Sequence, residues 1–343
     1  MRSRWGWVMA AFAFLIAVPS LVSGETLGEA FRRVNPSVVV IRSRGREVTA
    51  DSIARFKEIG SGVLISADGK VATAAHVVHT MEDITVEFLG EEPVAARVIA
   101  SEPRADISLI QVSSVPPDAR VAKLVDSDPI RVGDAIFIVG APYGLAHSLS
   151  AGIISARWEP DTVTRDFPLA EFFQTDAVIN TGNSGGPMFS RAGDLIGIVS
   201  HNITKSGGSE GLGFIVTANT VKKLLLEGNR RWFGLDVLLV SGPMAQALKV
   251  PQEGGFLVKQ VAKDSIPARL GVRGGDRIGI VEGQQIVVGG DIMLSVLGIP
   301  MMSNEDIPAV RKAIETLKPG EDLRATVLRD EQVVDLSMKW TGF

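Results

Sequence analysis

The chain has 343 residues, enough for two domains that each bury a core of their own. With 45% hydrophobic and 22% charged residues it has the make-up of an ordinary globular protein, and a net charge of -4 without any long basic run speaks against nucleic-acid binding. It contains no cysteine, which removes disulfides, thiolate catalysis, cysteine-held zinc and lipid attachment through cysteine.

Arg2 and Arg4 precede an apolar run over residues 5–18, and Val22-Ser23-Gly24 follow. A positive start, an apolar middle and a small-residue end are the parts of an export signal, with cleavage expected after Gly24. The alternative is an uncleaved membrane anchor, since residues 5–22 are just long enough to span a bilayer. Either reading puts the body of the protein outside the cytoplasm. Residues 26–33 read as a short helix with Leu27, Ala30 and Phe31 on one face, stopped by Pro36. Residues 37–41 are strand-like, and the polar stretch 42–57 reads as a loop. Short strand signals then recur at 62–66, 71–74, 84–88, 95–100 and 107–112, with a hairpin at Asp68-Gly69 and a break at Pro116-Pro117. A second series runs through 134–139, 148–156, 171–179, 188–189, 195–200 and 213–216. Many short strands with little helix point to closed all-β barrels, with a helix at 219–227 ending the series.

The chemistry is concentrated at Asn180-Thr181-Gly182-Asn183-Ser184-Gly185-Gly186-Pro187. Glycines on both sides of a serine let the backbone turn tightly, so that N–H groups can converge on one point. Acyl transfer needs that: an exposed hydroxyl, and donors facing the oxygen that becomes negative. An inert Gly/Asn/Ser turn would look the same, so the reading depends on a base and an orienting acid elsewhere. His76 ends Thr73-Ala74-Ala75-His76, where small neighbours leave the imidazole room, and Asp106 opens the apolar stretch 107–112. A carboxylate there could fix a histidine's tautomer and stabilise its cation. The order His, Asp, Ser is the chymotrypsin order. His79, three residues beyond His76, raises a metal pair as an alternative, but no matching ligand set is evident and no metal or cofactor is expected.

Three motifs, Thr73-Ala74-Ala75-His76, Ala105-Asp106-Ile107-Ser108-Leu109 and Gly182-Asn183-Ser184-Gly185-Gly186-Pro187, resemble those of the HtrA (Deg) family of serine proteases. The resemblance extends to Gly60-Ser61-Gly62-Val63-Leu64-Ile65, Gly140-Ala141-Pro142-Tyr143-Gly144 and Gly211-Leu212-Gly213-Phe214-Ile215-Val216. It implies a mainly β fold: a chymotrypsin-like double barrel over residues 25–228, followed by a smaller α+β PDZ domain over 229–343. His76, Asp106 and Ser184 would be the triad, and Gly182, Asn183 and Ser184 the oxyanion turn. Val178 stands six positions before the nucleophile, where enzymes that cleave after Lys or Arg carry an acid. With Ser200, His201, Asn202, Gly213, Phe214 and Ile215 it implies a pocket for small or medium aliphatic side chains. Thr181 and the stretch Gly213-Phe214-Ile215-Val216-Thr217 depart from the family's usual residues there.

Trp232-Phe233-Gly234-Leu235 resembles the carboxylate-binding loop of a PDZ domain. Residues 304–317 form its long helix, with Ser303 as N-cap and Asp306 completing a capping box. Ile307, Val310 and Ile314 give that helix its apolar face. Gly274-Gly275-Asp276 nearly recurs at Gly289-Gly290-Asp291, and residues 278–290 between them read as an inserted hairpin. It either alters ligand access or packs on the sheet. The resemblance further implies an ATP-independent endopeptidase for unfolded or damaged proteins, regulated by C-terminal peptides at the PDZ domain. A homotrimer built near Phe31 is expected. The rival is a dormant or inactive protease that acts as a peptide-binding, chaperone-like protein.

Overall fold

The computed structural model describes residues 25–50, 52–145, 147–228 and 231–342. The expected export signal or anchor, residues 1–24, lies outside them. Among the described residues no helix is long and apolar enough to cross a membrane.

Strands Val38–Val48, Ile53–Leu64, Lys70–Thr73, Asp83–Glu87, Val94–Glu102 and Ile107–Val112 close into an antiparallel barrel. A second barrel closes from Ala135–Gly140, Ser148–Trp158, Phe172–Thr175, Pro187–Ser190, Leu195–Asn202 and Gly213–Thr217. Closure leaves no unpaired strand edge, and the alternation of side chains fills each interior. Val39, Ile41, Val71 and Ile110 pack inside the first barrel; Ile138, Phe173, Val199 and Ile215 pack inside the second. A further apolar cluster joins the two, with Val38, Val63 and Ile107 meeting Phe137, Phe189 and Leu195. The fold is thus mainly β, as expected.

Three local expectations are corrected. Residues 42–57 are not a loop: Val38–Val48 and Ile53–Leu64 pair along their whole lengths, from Val38 with Val63 to Val48 with Ile53. Past Ile41 the outward positions Arg42, Arg44 and Arg46 are exposed and the inward ones are Ser43 and Gly45, so no apolar alternation marks the strand. The expected helix over 219–227 is a short α-turn, Ala218–Val221, that runs into a π-helical turn, Lys222–Glu227. The long C-terminal helix begins at Ile307, not Asn304, and runs to Thr316. Asp306 rather than Ser303 occupies the N-cap, and its carboxylate reaches back to the N–H groups of Met302 and Ser303 (2.9 and 2.7 Å).

The C-terminal sheet contains Leu235–Ser241, Gly254–Val261, Ile292–Val296, Asp322–Arg329 and Gln332–Lys339, paired in that order. Helix Ile307–Thr316 lies over it through Val310 and Ile314. Strands Arg277–Val281 and Gln284–Val288 form a separate hairpin, and Ile286 and Val288 pack on the sheet beside Ile292 and Leu257. Together these form a smaller α+β unit.

Candidate active site

His76 sits in a one-turn helix, Ala75–Val78, directly after strand Lys70–Thr73. Ala74, Ala75, Val77 and Val78 are buried while His76 is not, so the turn rests on its apolar residues and presents the imidazole outward. Ser43 secures the turn by donating its buried hydroxyl to the Val77 carbonyl (2.7 Å). Asp106 has a left-handed backbone (φ 52°), which aspartate tolerates better than most residues. It aims a carboxylate only 1% exposed at the same turn.

Asp106 Oδ1 accepts the His76 backbone N–H (3.1 Å) and the His76 Nδ1–H (2.9 Å). Its Oδ2 accepts the Ser200 hydroxyl at 2.5 Å. An ionised carboxylate only accepts, so Nδ1 of His76 carries the proton and Nε2 is left as the free base. Burial penalises the Asp106 charge, but the imidazole and the Ser200 hydroxyl outweigh it and hold its pKa below the usual carboxylate value. Although its side chain is 44% exposed, the protein packed around the His76 ring disfavours its charged form; the Asp106 carboxylate overcomes this and raises the imidazole pKa above its ordinary value.

Ser200 joins this pair to the glycine-rich turn: its carbonyl oxygen accepts the Ser184 hydroxyl (3.2 Å). Among the described residues no hydrogen bond runs directly from Ser184 to His76. Gly182 (φ 101°) and Gly185 (φ 81°) adopt backbone open only to glycine here, because a Cβ would strike Ala141 O at the first and Thr73 Oγ1 at the second. The turn closes through Asn183 N–H to Asn180 O (3.0 Å) and Gly186 N–H to Asn183 O (2.9 Å). Thr181 O is held by Tyr143 N–H (2.8 Å). Within the described residues the N–H groups of Gly182 and Ser184 donate to no protein atom, as donors kept for an oxyanion must.

The strand residues expected at the pocket divide between two faces. Val178 is 53% exposed at the rim, and Ile179 lies over Gly213, where a Cβ would collide with it. Ile215 faces the barrel core, whereas Phe214 stacks on His201 (5.1 Å) in a cluster with Phe167 and Phe172. Asn202 braces the rim by donating to Ile179 O (3.3 Å) and Gly208 O (3.2 Å).

Phe233, Leu235, Ile307, Val310 and Ile314 line a cavity of about 490 Å³. Its other wall is the first barrel, through His79, Glu102 and Arg104. Trp232 lies outside it and packs on the first barrel, its Nε1–H on His79 O (2.8 Å). His79 does not join His76. Its Nε2–H donates to Leu235 O (2.9 Å) and its Nδ1 accepts from Ser101 (2.7 Å), and burial lowers its pKa. Arg311 approaches Glu102 across the same boundary (3.7 Å). Sequence reasoning missed Ser61, which holds the Ser184 turn, and the bond from Ser200 to Asp106. The run Gly60-Ser61-Gly62, a lone serine among glycines before an apolar stretch, was the available signal for the first.

Residues 60–198 match the family model for a trypsin-like peptidase domain. The probable periplasmic serine endoprotease DegP-like of Ectopseudomonas mendocina is 35% identical over 284 residues, covering 80% of this chain and 54% of that protein. The periplasmic serine endoprotease DegP of Escherichia coli is 32% identical, covering 83% and 57%. Solved structures of the HtrA-type protease AlgW are also similar. The one with a tripeptide is 28% identical with a TM-score of 0.53, covering 92% of this chain and 96% of that one. With a decapeptide the values are 26%, 0.52, 92% and 98%.

The chain belongs to the HtrA family of serine proteases. This HtrA chain spans little more than half the length of the curated relatives it matches.

Proposed function

We propose that this HtrA chain is a serine endopeptidase in which His76, Asp106 and Ser184 form a catalytic triad. The observation that carries the reading is the convergence on Ser200, whose hydroxyl meets Asp106 and whose carbonyl meets Ser184, while Asp106 holds His76. A substrate strand laid along Ser200–Asn202 needs the Ser200 carbonyl for its own N–H. That would release the Ser184 hydroxyl to turn toward His76 Nε2. His76 takes the proton as Ser184 Oγ bonds to the peptide carbonyl carbon, and the C=O electron pair moves to the oxygen, held by the N–H groups of Gly182 and Ser184. Asp106 stabilises the imidazolium. His76 then gives its proton to the leaving amine as the C–N bond breaks, and water hydrolyses the ester by the reverse sequence.

Unfolded polypeptides are the proposed substrates, with aliphatic side chains in the pocket beside Val178 and Gly213. Residues 25–228 would form the protease domain and 229–343 the PDZ domain. Extracytoplasmic location is supported by the names of the periplasmic relatives. Assembly as a homotrimer belongs to the same reading, as does either cleavage or anchoring of residues 1–24. At the PDZ domain a C-terminal peptide would add as a strand along Leu235–Ser241, its carboxylate on the N–H groups of the Phe233-Gly234-Leu235 loop. That strand needs Leu235 O, which His79 now occupies, so docking would displace a contact from the helical turn that also carries His76. This favours regulation by peptides. The test is cleavage of unfolded casein by the protein and by Ser184→Ala, with and without C-terminal peptides. Cleavage lost in the variant supports the reading. Equal cleavage by both, or none under any condition, favours the chaperone-like rival.

A further inference from the structure

We infer that Ser61, a residue of the first barrel, is the positioning residue that shapes the oxyanion turn of the second. The inference rests on the triad reading above. Each of the two residues whose N–H groups are kept for the oxyanion, Gly182 and Ser184, is held through its own carbonyl oxygen, and both oxygens are held by Ser61. Its hydroxyl donates to Gly182 O (2.7 Å) and its backbone N–H donates to Ser184 O (2.8 Å).

The hydroxyl has no freedom to do otherwise. Ser61 is 0% exposed, and Oγ accepts the Ala141 N–H (2.9 Å), which fixes where its own proton points. Ser61 O in turn accepts the Thr73 hydroxyl (2.7 Å), so every polar group of the residue is engaged. Gly185 and Gly186 let the turn approach this closely: a Cβ at Gly185 would collide with Ser61 O, and one at Gly186 would come within 3.1 Å of Ser61 Cβ. Each pinned carbonyl lies in the peptide plane next to that of the donor, joined to it through the α-carbon of Gly182 or Ser184, while the donors' own planes are held by Tyr143 N–H on Thr181 O and Gly186 N–H on Asn183 O. Ser61 therefore fixes where the α-carbons of the two donor residues sit, and with them the origin of two donors it does not itself supply. It also couples the barrel bearing His76 to the barrel bearing Ser184.

Ser61→Ala removes the hydroxyl and keeps the backbone bond to Ser184 O. It leaves Gly182 O and Ala141 N–H buried without their partner. Loss of one oxyanion donor typically lowers kcat by about 10²–10³-fold. A donor misaimed but present should cost about 10–100-fold, with KM changed less than threefold. The readout that separates positioning from stability is affinity for a peptide boronic acid, which forms a tetrahedral adduct, against affinity for an uncleaved peptide aldehyde-free analogue of the same sequence. The boronate should weaken in proportion to kcat while the analogue is unaffected. Ser37→Ala is the control, because Ser37 also donates a buried hydroxyl to a backbone carbonyl, but that of Val34 and not of a residue in the turn. It should lower the melting temperature without touching kcat. If Ser61→Ala does not fold, Ser61→Cys, which keeps a weak S–H donor, takes its place with an intermediate loss expected. Wild-type kcat and boronate affinity per active site in the folded variant overturn the inference. An unmodified protein without any Ser184-dependent cleavage overturns the triad reading instead.

Discussion

Replacing Asp106 by asparagine keeps the shape of the side chain and removes its charge. All three neighbours of the carboxylate, the His76 N–H, the His76 Nδ1–H and the Ser200 hydroxyl, now donate to it. An amide NH₂ must face one of them. Facing Nδ1, it forces the proton to Nε2 and blocks His76 as a base. Facing Ser200, it spares the tautomer but still leaves the imidazolium of the transition state unpaired. With N···O at 2.9 Å and an effective dielectric near 20, the lost attraction is about 6 kcal/mol, or about four decades of rate. The His76 side chain is 44% exposed, so solvent screens part of this, and about three to four decades is expected. That agrees with the roughly 10⁴-fold cost of the same change in a trypsin-type triad. The assay is kcat on a peptide substrate at neutral pH, referred to folded protein by circular dichroism. A loss under tenfold would refute the role given to Asp106.

Other consequences can be measured alongside. Because Asp106 raises the His76 pKa, the acid limb of kcat/KM should lie above the ordinary histidine value of 6.5, and activity should fall as pH drops through it. An acid limb at or below 6.5 would contradict this coupling. Gly182→Ala should retain the fold yet lose about 10²–10³-fold in kcat, since its Cβ would strike Ala141 O and tilt an oxyanion donor; near-normal kcat would count against Gly182 as a donor. His79→Ala should tighten binding of a fluorescent C-terminal peptide by freeing Leu235 O; unchanged affinity would show that His79 does not guard the groove. The same histidine is stabilised in its neutral form, its folded pKa being depressed. Protonation costs the bond its Nδ1 accepts from Ser101, while Nε2–H still donates to Leu235 O, so the stability the neutral ring lends is fully present above about pH 6.5 and falls as pH drops below that value. Limited proteolysis between the domains should speed up accordingly in acid, and a rate that does not change with pH would contradict the linkage.

The proposed triad is legible in the sequence because each member sits in a short motif whose neighbours are constrained. His76 needs small residues before it, Asp106 needs a buried strand mouth, and Ser184 needs glycines on either side. The alternating apolar strands made the barrels legible for the same reason. What lay hidden depends on partners remote in sequence. Ser61 reads as one more serine between glycines until the second barrel brings Gly182 O to its hydroxyl, 121 residues away. Ser200 was visible as a pocket residue, but its bond to Asp106 spans 94 residues and follows no local pattern. The hairpin 38–64 was half hidden because the inward positions between exposed Arg42, Arg44 and Arg46 are the small residues Ser43 and Gly45, which leave no apolar alternation to read. Ser303 makes a plausible N-cap by spacing, yet the Asp306 carboxylate captures the Met302 and Ser303 N–H groups and starts the helix later.

The central claim is that one serine hydroxyl, among all those in the chain, is made nucleophilic by His76 and Asp106. Labelling the intact protein with a fluorophosphonate, followed by peptide mapping, tests it most directly. The label should appear on Ser184 alone and disappear in His76→Ala. A label on any other serine, or on Ser184 at an undiminished rate in His76→Ala, would contradict it.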